Sequence, residues 1–442
     1  MVSDSEESPL LPQSEHDLVY QRFSPGYKTA IVALVSWCAL MPLHFLVFIT
    51  GTFYPSIPQI ARDLHTTGEA VSFTISVSVL STALGSFVGA SYSTFYGRRR
   101  VYLVALPISV IASLGVAAAQ NVPQLLFWRV WQCAGASPGR AVGAGVIGDM
   151  YKLEERGTAL GFFNAGSLLG PAIAPLIGGF IAHYSSWKFV QCCIGIAQLL
   201  CLAICFFALP ETSHPGTRGI DKLRLTGNTK HSWKHVNPLR PLNLLRSPTI
   251  TAASFVGFCA QMTEFVLIVP LSYTIGKQYH LDHNEALVGA CLLPSGLGNM
   301  VGAATVGRLS DKIVVDWKKK RNGEWYPEDR LRASLPGALF LCPLSALGCG
   351  LVTQYIKGYL GLALNLILLF LNGVGIAVVL SPIGSYGVDV LHSRSAEATA
   401  CNSGFRRFLL SFGIAAIMAM INDYGMLATN TAAALLAWIG FP

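Results

Sequence analysis

Charge is scarce in this sequence. Only 12% of its 442 residues are Asp, Glu, Lys or Arg, while 52% are hydrophobic and the mean hydropathy is +0.50. Soluble domains carry roughly 25% charged residues, so a water-facing surface of this size could not be covered with the polar residues present. That excludes an ordinary soluble protein and leaves lipid as the solvent. Catalytic signatures are missing too. There is no GxxxxGK[ST] phosphate loop and no HExxH pair, and the GASPG match to GxSxG (135–139) lies within an apolar run, not at a strand-to-helix elbow. ATP hydrolysis and the common hydrolase chemistries are therefore not expected, and no cofactor is. Paired CxxC spacings are also absent. The eleven cysteines sit mostly in apolar runs, as Cys38, Cys133, Cys259, Cys291 and Cys349 do, and read as small core residues. Finally, "MVSDSEESPLLPQSEHD" lacks the basic start and apolar core of a cleavable leader, so the first apolar run is expected to act as its own insertion signal.

What is present is a series of long apolar runs. Six of spanning length fall at roughly 29–53, 69–93, 101–120, 123–147, 158–183 and 187–209; six more fall at roughly 249–275, 286–307, 334–354, 359–384, 396–420 and 422–440. The expectation is an all-α membrane protein of twelve transmembrane helices in two six-helix pseudo-symmetric halves. Residues 1–28 form a polar tail, 29–209 the first half, 210–248 a linker and 249–442 the second half. Lys and Arg concentrate in GRRR (97–100), KLEER (152–156), the linker (Arg218, Lys222, Arg224, Lys230, Lys234, Arg240) and DWKKKRNGEW (316–325), all on one side. The opposite loops, such as AQNVPQ (119–124), are short and carry little positive charge. The positive-inside rule then puts both termini and the linker in the cytoplasm. Topology also accounts for the net charge of +8 without nucleic acid. The halves echo each other: GASYSTFYGRRR (89–100) follows span 2 and GRLSDKIV (307–314) follows span 8, a glycine and a short basic loop in each case.

One stretch breaks the helical grammar. GSLLGPAIAPLIGG (166–179), inside span 5, holds Gly166, Gly170, Gly178 and Gly179 together with Pro171 and Pro175. Gly166 and Gly170 form a GxxxG pair that permits close helix approach. The prolines remove backbone donors and bend the helix. The expectation is a kinked helix with a smooth face, packed tightly against its counterpart in the other half.

Ionisable groups inside spans cost roughly 2.5–3.5 kcal/mol or more each near the bilayer centre, which marks them as candidates for function. Glu264, in CAQMTEFVLIVP (259–270), lies near the middle of span 7 and is the candidate proton carrier, with Gln261 beside it. Arg129 and Arg140 stand eleven residues apart in span 4, so ideal helix geometry returns the second to within about 20° of the first. Both are expected on one cavity-facing side, with snorkelling the rival reading for Arg129. Span 11 contributes Asn402 and Arg406 on one face of ACNSGFRRFLL (400–410), with Arg407 turned about 100° away towards Asp389 or Glu397. His44 in span 1 is a candidate proton relay or simply a hydrogen-bonded histidine.

These landmarks resemble the major facilitator superfamily, and within it the fungal twelve-span drug:proton antiporters, from about residue 30 onward. RVWQCAGA (129–136) is similar to the family's span 4 signature, with Gln132 matching and Cys133 where glycine is usual. GDMYKLEERGTALG (148–161), SWKFV (186–190), LPET (209–212) and YPEDRL (326–331) resemble family loops and span ends, and the span 5 stretch resembles the antiporter motif with Ala174 in place of a glycine. The resemblance implies a seal between the halves at Gly166, Gly170, Pro171, Pro175, Gly178 and Gly179. It also implies a cytoplasmic gate of Gly97, Arg98, Arg99, Asp149 and Arg156 in the first half and Gly307, Asp311 and Lys312 in the second. Thr94 and Phe95 replace the acidic-basic pair usual before GRR. The first-half latch is therefore expected to be weak or built differently, through Asp149 or Glu155.

A chain of this kind implies secondary transport driven by a proton gradient, without ATP, by a monomer that binds a small molecule near the midplane. The expected substrate site is Arg129, Gln132, Arg140, Gln261, Asn402 and Arg406. More arginines than carboxylates point to an organic anion, such as a dicarboxylate or acidic secondary metabolite, exported against protons. Multidrug efflux, a proton symporter for uptake and a non-transporting sensor remain as alternatives. The plasma membrane is the first expectation for location. EESPLL (6–11), shaped like an acidic dileucine sorting signal, keeps the vacuolar membrane second.

Overall fold

A computed structural model shows how the spans are built. It describes residues 49–150, 170–213, 218–221, 236–281, 284–322, 324, 326–390 and 395–440, less the side chains of some of them, among them Arg140, Asp389 and Glu397. His44, Glu155, Arg156, Gly166 and the EESPLL segment lie outside the described residues.

Every regular element among the described residues is helical. Span 1 turns at Thr52 into the helix Phe53–Asp63; span 2 is Gly68–Tyr96 and span 3 Arg98–Ala118. Span 4 is two helices, Val122–Ala136 and Pro138–Met150, joined through Ser137, and span 5 is described over 170–184. Span 6 is Trp187–Ala208, span 7 Pro248–Ile268 and span 8 Glu285–Lys320. Span 9 tightens through a 3-10 segment and a π-turn (Gly337–Leu341) into Cys342–Tyr355; spans 10, 11 and 12 are Gly358–Val390, Ser395–Tyr424 and Met426–Ile439. Among the described residues, eight helices are long and apolar enough to cross a membrane. Large side chains such as Ile111, Phe127, Phe207, Phe340 and Phe412 are exposed on the outer surface, as lipid-facing positions should be.

Local chemistry fixes the ends. Spans 2, 4, 6 and 8 each begin behind a polar cap: Thr67, Asn121, Ser186 and Asn284 accept from the amides of Ala70, Gln124, Phe189 and Leu287. These side chains satisfy amide donors that a helix start leaves free. Spans 11 and 12, separated by a very short predicted loop, are divided by Gly425 alone, whose φ of +85° reverses the chain. In span 9, the Trp438 indole of span 12 donates to the Leu339 carbonyl within the π-turn at 2.8 Å.

Two basic segments read as loops are helical instead. GRLSDKIV continues span 8 without a break to Lys320, a helix of 36 residues. At 1.5 Å per residue that is about 54 Å, against a hydrocarbon core of about 30 Å, so its inner end projects beyond the membrane. No glycine or proline interrupts residues 308–321 to stop it. GRRR likewise begins span 3: Gly97 turns the chain at φ +104°, and Arg98 is already in the helix.

The halves meet along two seams. Span 2 runs against span 11, where Ser76 donates to the Ser411 carbonyl, Asn422 donates to Glu69, and the Phe87 ring covers Gly404. Span 5 runs against span 8. A β-carbon at Gly179 would stand 2.3 Å from the Glu285 carbonyl oxygen, one at Gly289 would stand 2.3 Å from that of Pro175, and one at Gly296 would stand 2.2 Å from the Ala172 Cα. Gly51 and Gly178 bring spans 1 and 5 equally close, at Ala174 and Thr52. Among the described residues, the smooth face of span 5 includes Gly178 and Gly179; the GxxxG pair expected at Gly166 and Gly170 includes Gly166, which lies outside the described residues. Gly289→Val should force the two backbones apart and cost about 1–3 kcal/mol of packing. A thermal melt of the detergent-solubilised protein should show the lower midpoint.

Candidate functional site

Arg129 is fully buried in the first half and held on several sides. Its Nε donates to Ser78 Oγ at 3.1 Å, and its Nη1 to the Ile49 carbonyl at 3.0 Å and to Gln132 Oε1 at 3.2 Å. The guanidinium also lies 4.2 Å from the centre of the Phe53 ring. The Ile49 carbonyl precedes the turn at Thr52, so Arg129 braces span 1 where its helix is interrupted. Gln132 passes the network on: its amide donates to Ser113 and Gln191, both at 2.9 Å, and Ser113 and Ser109 engage Gln198. Spans 1, 2, 3, 4 and 6 are thus tied through one buried polar chain. Snorkelling is not what Arg129 does. Its Nη2 is buried without a hydrogen-bond partner in the structure. The two-arginine face cannot be traced further, because the Arg140 side chain lies outside the described residues.

Glu264 occupies the facing half. It is partly buried in span 7 and accepts from Asn299 Nδ2 of span 8 at 3.1 Å. Arg406 of span 11 and Tyr54 of span 1 lie within its electrostatic reach. Arg406 is nearly buried, and its side chain packs over Gly257 of span 7, where a β-carbon would stand 3.2 Å from its Cδ. Gln261 lies one turn from Glu264 on span 7, and Asn402 one turn from Arg406 on span 11. Gln261 Oε1 and Asn402 Oδ1 are both buried with no hydrogen-bond partner in the structure, whereas buried acceptors normally find one.

Of the six expected substrate residues, Gln261 lies one turn from Glu264 on span 7 and Arg406 lies within its electrostatic reach. Asn402 lies a turn beyond Arg406 on span 11, away from Glu264, since Arg406 already packs at Gly257. Arg129 and Gln132 face protein partners inside the first half, and the Arg140 side chain lies outside the described residues. Asn299 and Tyr54 were not singled out from sequence. Asn299 could have been, as a polar residue in an otherwise apolar run; a tyrosine in a span carries no comparable signal.

Around the start of span 3, the charged groups expected to form a first-half latch are paired as follows. Arg98 pairs with Asp149 at 3.1 Å and donates to Ser93. Glu211 of LPET accepts from the Arg98 amide at 2.9 Å, which offsets a basic helix start. Its carboxylate lies where a Gly97 side chain would be. Arg99 donates to the Phe206 carbonyl. In the second half Asp311 pairs with Arg330 at 3.0 Å, Lys312 is exposed, and Gly307 faces open space. The YPEDRL loop is a clamp: buried Asp329 takes Arg321 at 2.6 and 3.0 Å and Arg332 at 3.3 Å. Arg332 stacks on Trp317 at 4.0 Å. Arg129→Ala should leave the Ile49 carbonyl and the Gln132 amide oxygen without their donor and cost about 1–3 kcal/mol. The same thermal melt should report this, with Arg129→Lys losing less.

The pattern of the Major Facilitator Superfamily matches residues 40–418. Efflux pump radE of Floropilus chiversii is 29% identical over 439 residues, covering 95% of this chain and 79% of its own. Multidrug transporter AQR1 of Candida glabrata is 27% identical, covering 91% and 74%. Citrate exporter 1 of Aspergillus niger is also 27% identical, covering 70% and 63%. Among solved structures, the partially occluded inward-open xylose transporter XylE of E. coli shares the fold, with a TM-score of 0.64 at 15% identity over 92% of this chain and 96% of its own. With the order of helices, the packing between halves and these matches in agreement, the chain belongs to the Major Facilitator Superfamily, as an integral multi-pass membrane transporter and not an enzyme.

Proposed function

We propose that the chain exports a small organic molecule in exchange for protons, with Glu264 as the proton site and Gln261, Asn299, Asn402 and Arg406 around the substrate. The observation that carries this reading is a pair of buried acceptors on spans 7 and 11: Gln261 Oε1, one turn from Glu264, and Asn402 Oδ1, one turn from Arg406, have no hydrogen-bond partner in the structure. Exchange requires proton and substrate to exclude one another. A substrate that donates hydrogen bonds, or carries positive charge, needs Glu264 as a carboxylate, and a proton on Glu264 removes that partner. Binding energy for one ligand then opposes the other, and rocking of the halves alternates access. The reading agrees with the printed names of the relatives, an efflux pump and a multidrug transporter among them. It favours the plasma membrane, where an inward proton gradient drives export.

Arg406 supports a second reading. A substrate carboxylate would pair with its guanidinium, and citrate exporter 1 is among the relatives. The expected surplus of arginines is smaller than the sequence suggested, since Arg129 is engaged inside the first half. An anion at Arg406 would compete with ionised Glu264, so a proton there would help it bind instead of expelling it. The two readings differ in sign.

Purified transporter should be tested with tetraphenylphosphonium, a neutral drug and citrate, measuring the binding constant at a series of pH values. For a donor-bearing or cationic ligand, affinity should fall about tenfold per unit of acidification below the midpoint of the proton site. Glu264→Gln should weaken binding and flatten the profile. Affinity that rises on acidification, for citrate alone, would replace the exchange reading with the anion one.

A further inference from the structure

We propose that Glu285 is the gating residue that holds the outer mouth of the transporter shut. It sits in the first turn of span 8, just behind the Asn284 cap, and is only 5% exposed. Each carboxylate oxygen has its own partner, and both partners come from the opposite half. Oε1 accepts from Arg62 Nη2 at the outer end of span 1, at 3.2 Å; Oε2 meets His183 Nδ1 at the outer end of span 5, at 3.3 Å. Its backbone carbonyl also abuts Gly179. One side chain therefore ties two helices of the first half to a third helix of the second.

The surroundings leave few substitutes. Asp63, the neighbouring acid on span 1, is turned to the Trp187 indole at 2.8 Å and does not share Arg62. The other outer contacts between halves described here are uncharged or single: Ser272 donates to the Tyr54 carbonyl at 3.4 Å, and Asn422 donates to Glu69. Separating the outer ends of spans 1 and 5 from span 8 must break both contacts of Glu285 together, with water replacing them. Arg62 is half exposed, so its pair alone is partly screened, and closure rests on the two contacts acting through one carboxylate. The proposal rests on the alternating-access reading, but it concerns closure alone and needs no substrate identity.

The test uses the whole transporter carrying Ser272→Cys, a position sealed between spans 1 and 7. A membrane-impermeant maleimide is applied from outside, with the protein lacking this change giving the background. Labelling should be slow in Ser272→Cys alone and at least roughly tenfold faster when Glu285→Gln is added. Arg62→Gln and His183→Gln should each give a smaller acceleration. These two lie at partly exposed positions, so they keep the test alive if Glu285→Gln fails to fold. Arg62→Gln combined with Glu285→Gln should label no faster than Glu285→Gln alone, since both remove the same contact. Unchanged labelling in Glu285→Gln, or accelerations by the two that multiply independently, would overturn the proposal. Because no transport is measured, a failure of proton exchange at Glu264 would leave this result standing, and the reverse.

Discussion

Hydrocarbon offers no hydrogen bonds, and the interior of this protein is arranged around that fact. A guanidinium at mid-membrane is tolerable only when protein atoms replace its water. Arg129 receives Ser78, the Ile49 carbonyl, Gln132 and the Phe53 ring. That demand recruits Gln132, Ser113, Gln191 and Gln198 in turn, so five spans are aligned by the needs of one cation. The second half answers the same constraint with asparagines. Asn372 ties span 10 to Thr263 and Ser345, and Asn365 ties it to Tyr279 and Thr353. Networks of this kind give each half a fixed shape.

Where the halves face each other the satisfaction is incomplete. Glu264 has Asn299, but the acceptors of Gln261, one turn from it, and of Asn402, one turn from Arg406, have no hydrogen-bond partner in the structure. A site that is fully paired has nothing to offer a ligand; one with spare acceptors does. Glycines at 179, 289 and 296 bring the backbones of the two halves close without interlocking side chains, and among the described residues the charged Glu285 contact between the halves lies at the start of span 8. A seam of this kind would suit the rocking by which two such halves alternate access.

Much of this was legible in the sequence, because lipid imposes simple rules. Apolar run length located the spans. Glu264, Gln261, Asn402 and Arg406 were visible because polar residues in spans are costly. The failures have physical reasons. GRLSDKIV looks like a loop because it is charged, yet nothing in residues 308–321 stops a helix, and past the bilayer charge no longer opposes one. Arg129 was expected in the cavity because helical spacing fixes a face but not which neighbour that face meets; here the neighbour is span 1. Glu285, Arg62 and His183 lie far apart in sequence at ordinary loop-proximal positions, and only the packing of the halves makes them a cluster.

The most direct test of the account is a proton count. Wild-type transporter in lightly buffered solution, at the midpoint of its proton site, should release about half a proton per molecule as a saturating donor-bearing ligand binds. Glu264→Gln should release none. Proton uptake on binding, or release that persists in Glu264→Gln, would contradict exchange at this carboxyl.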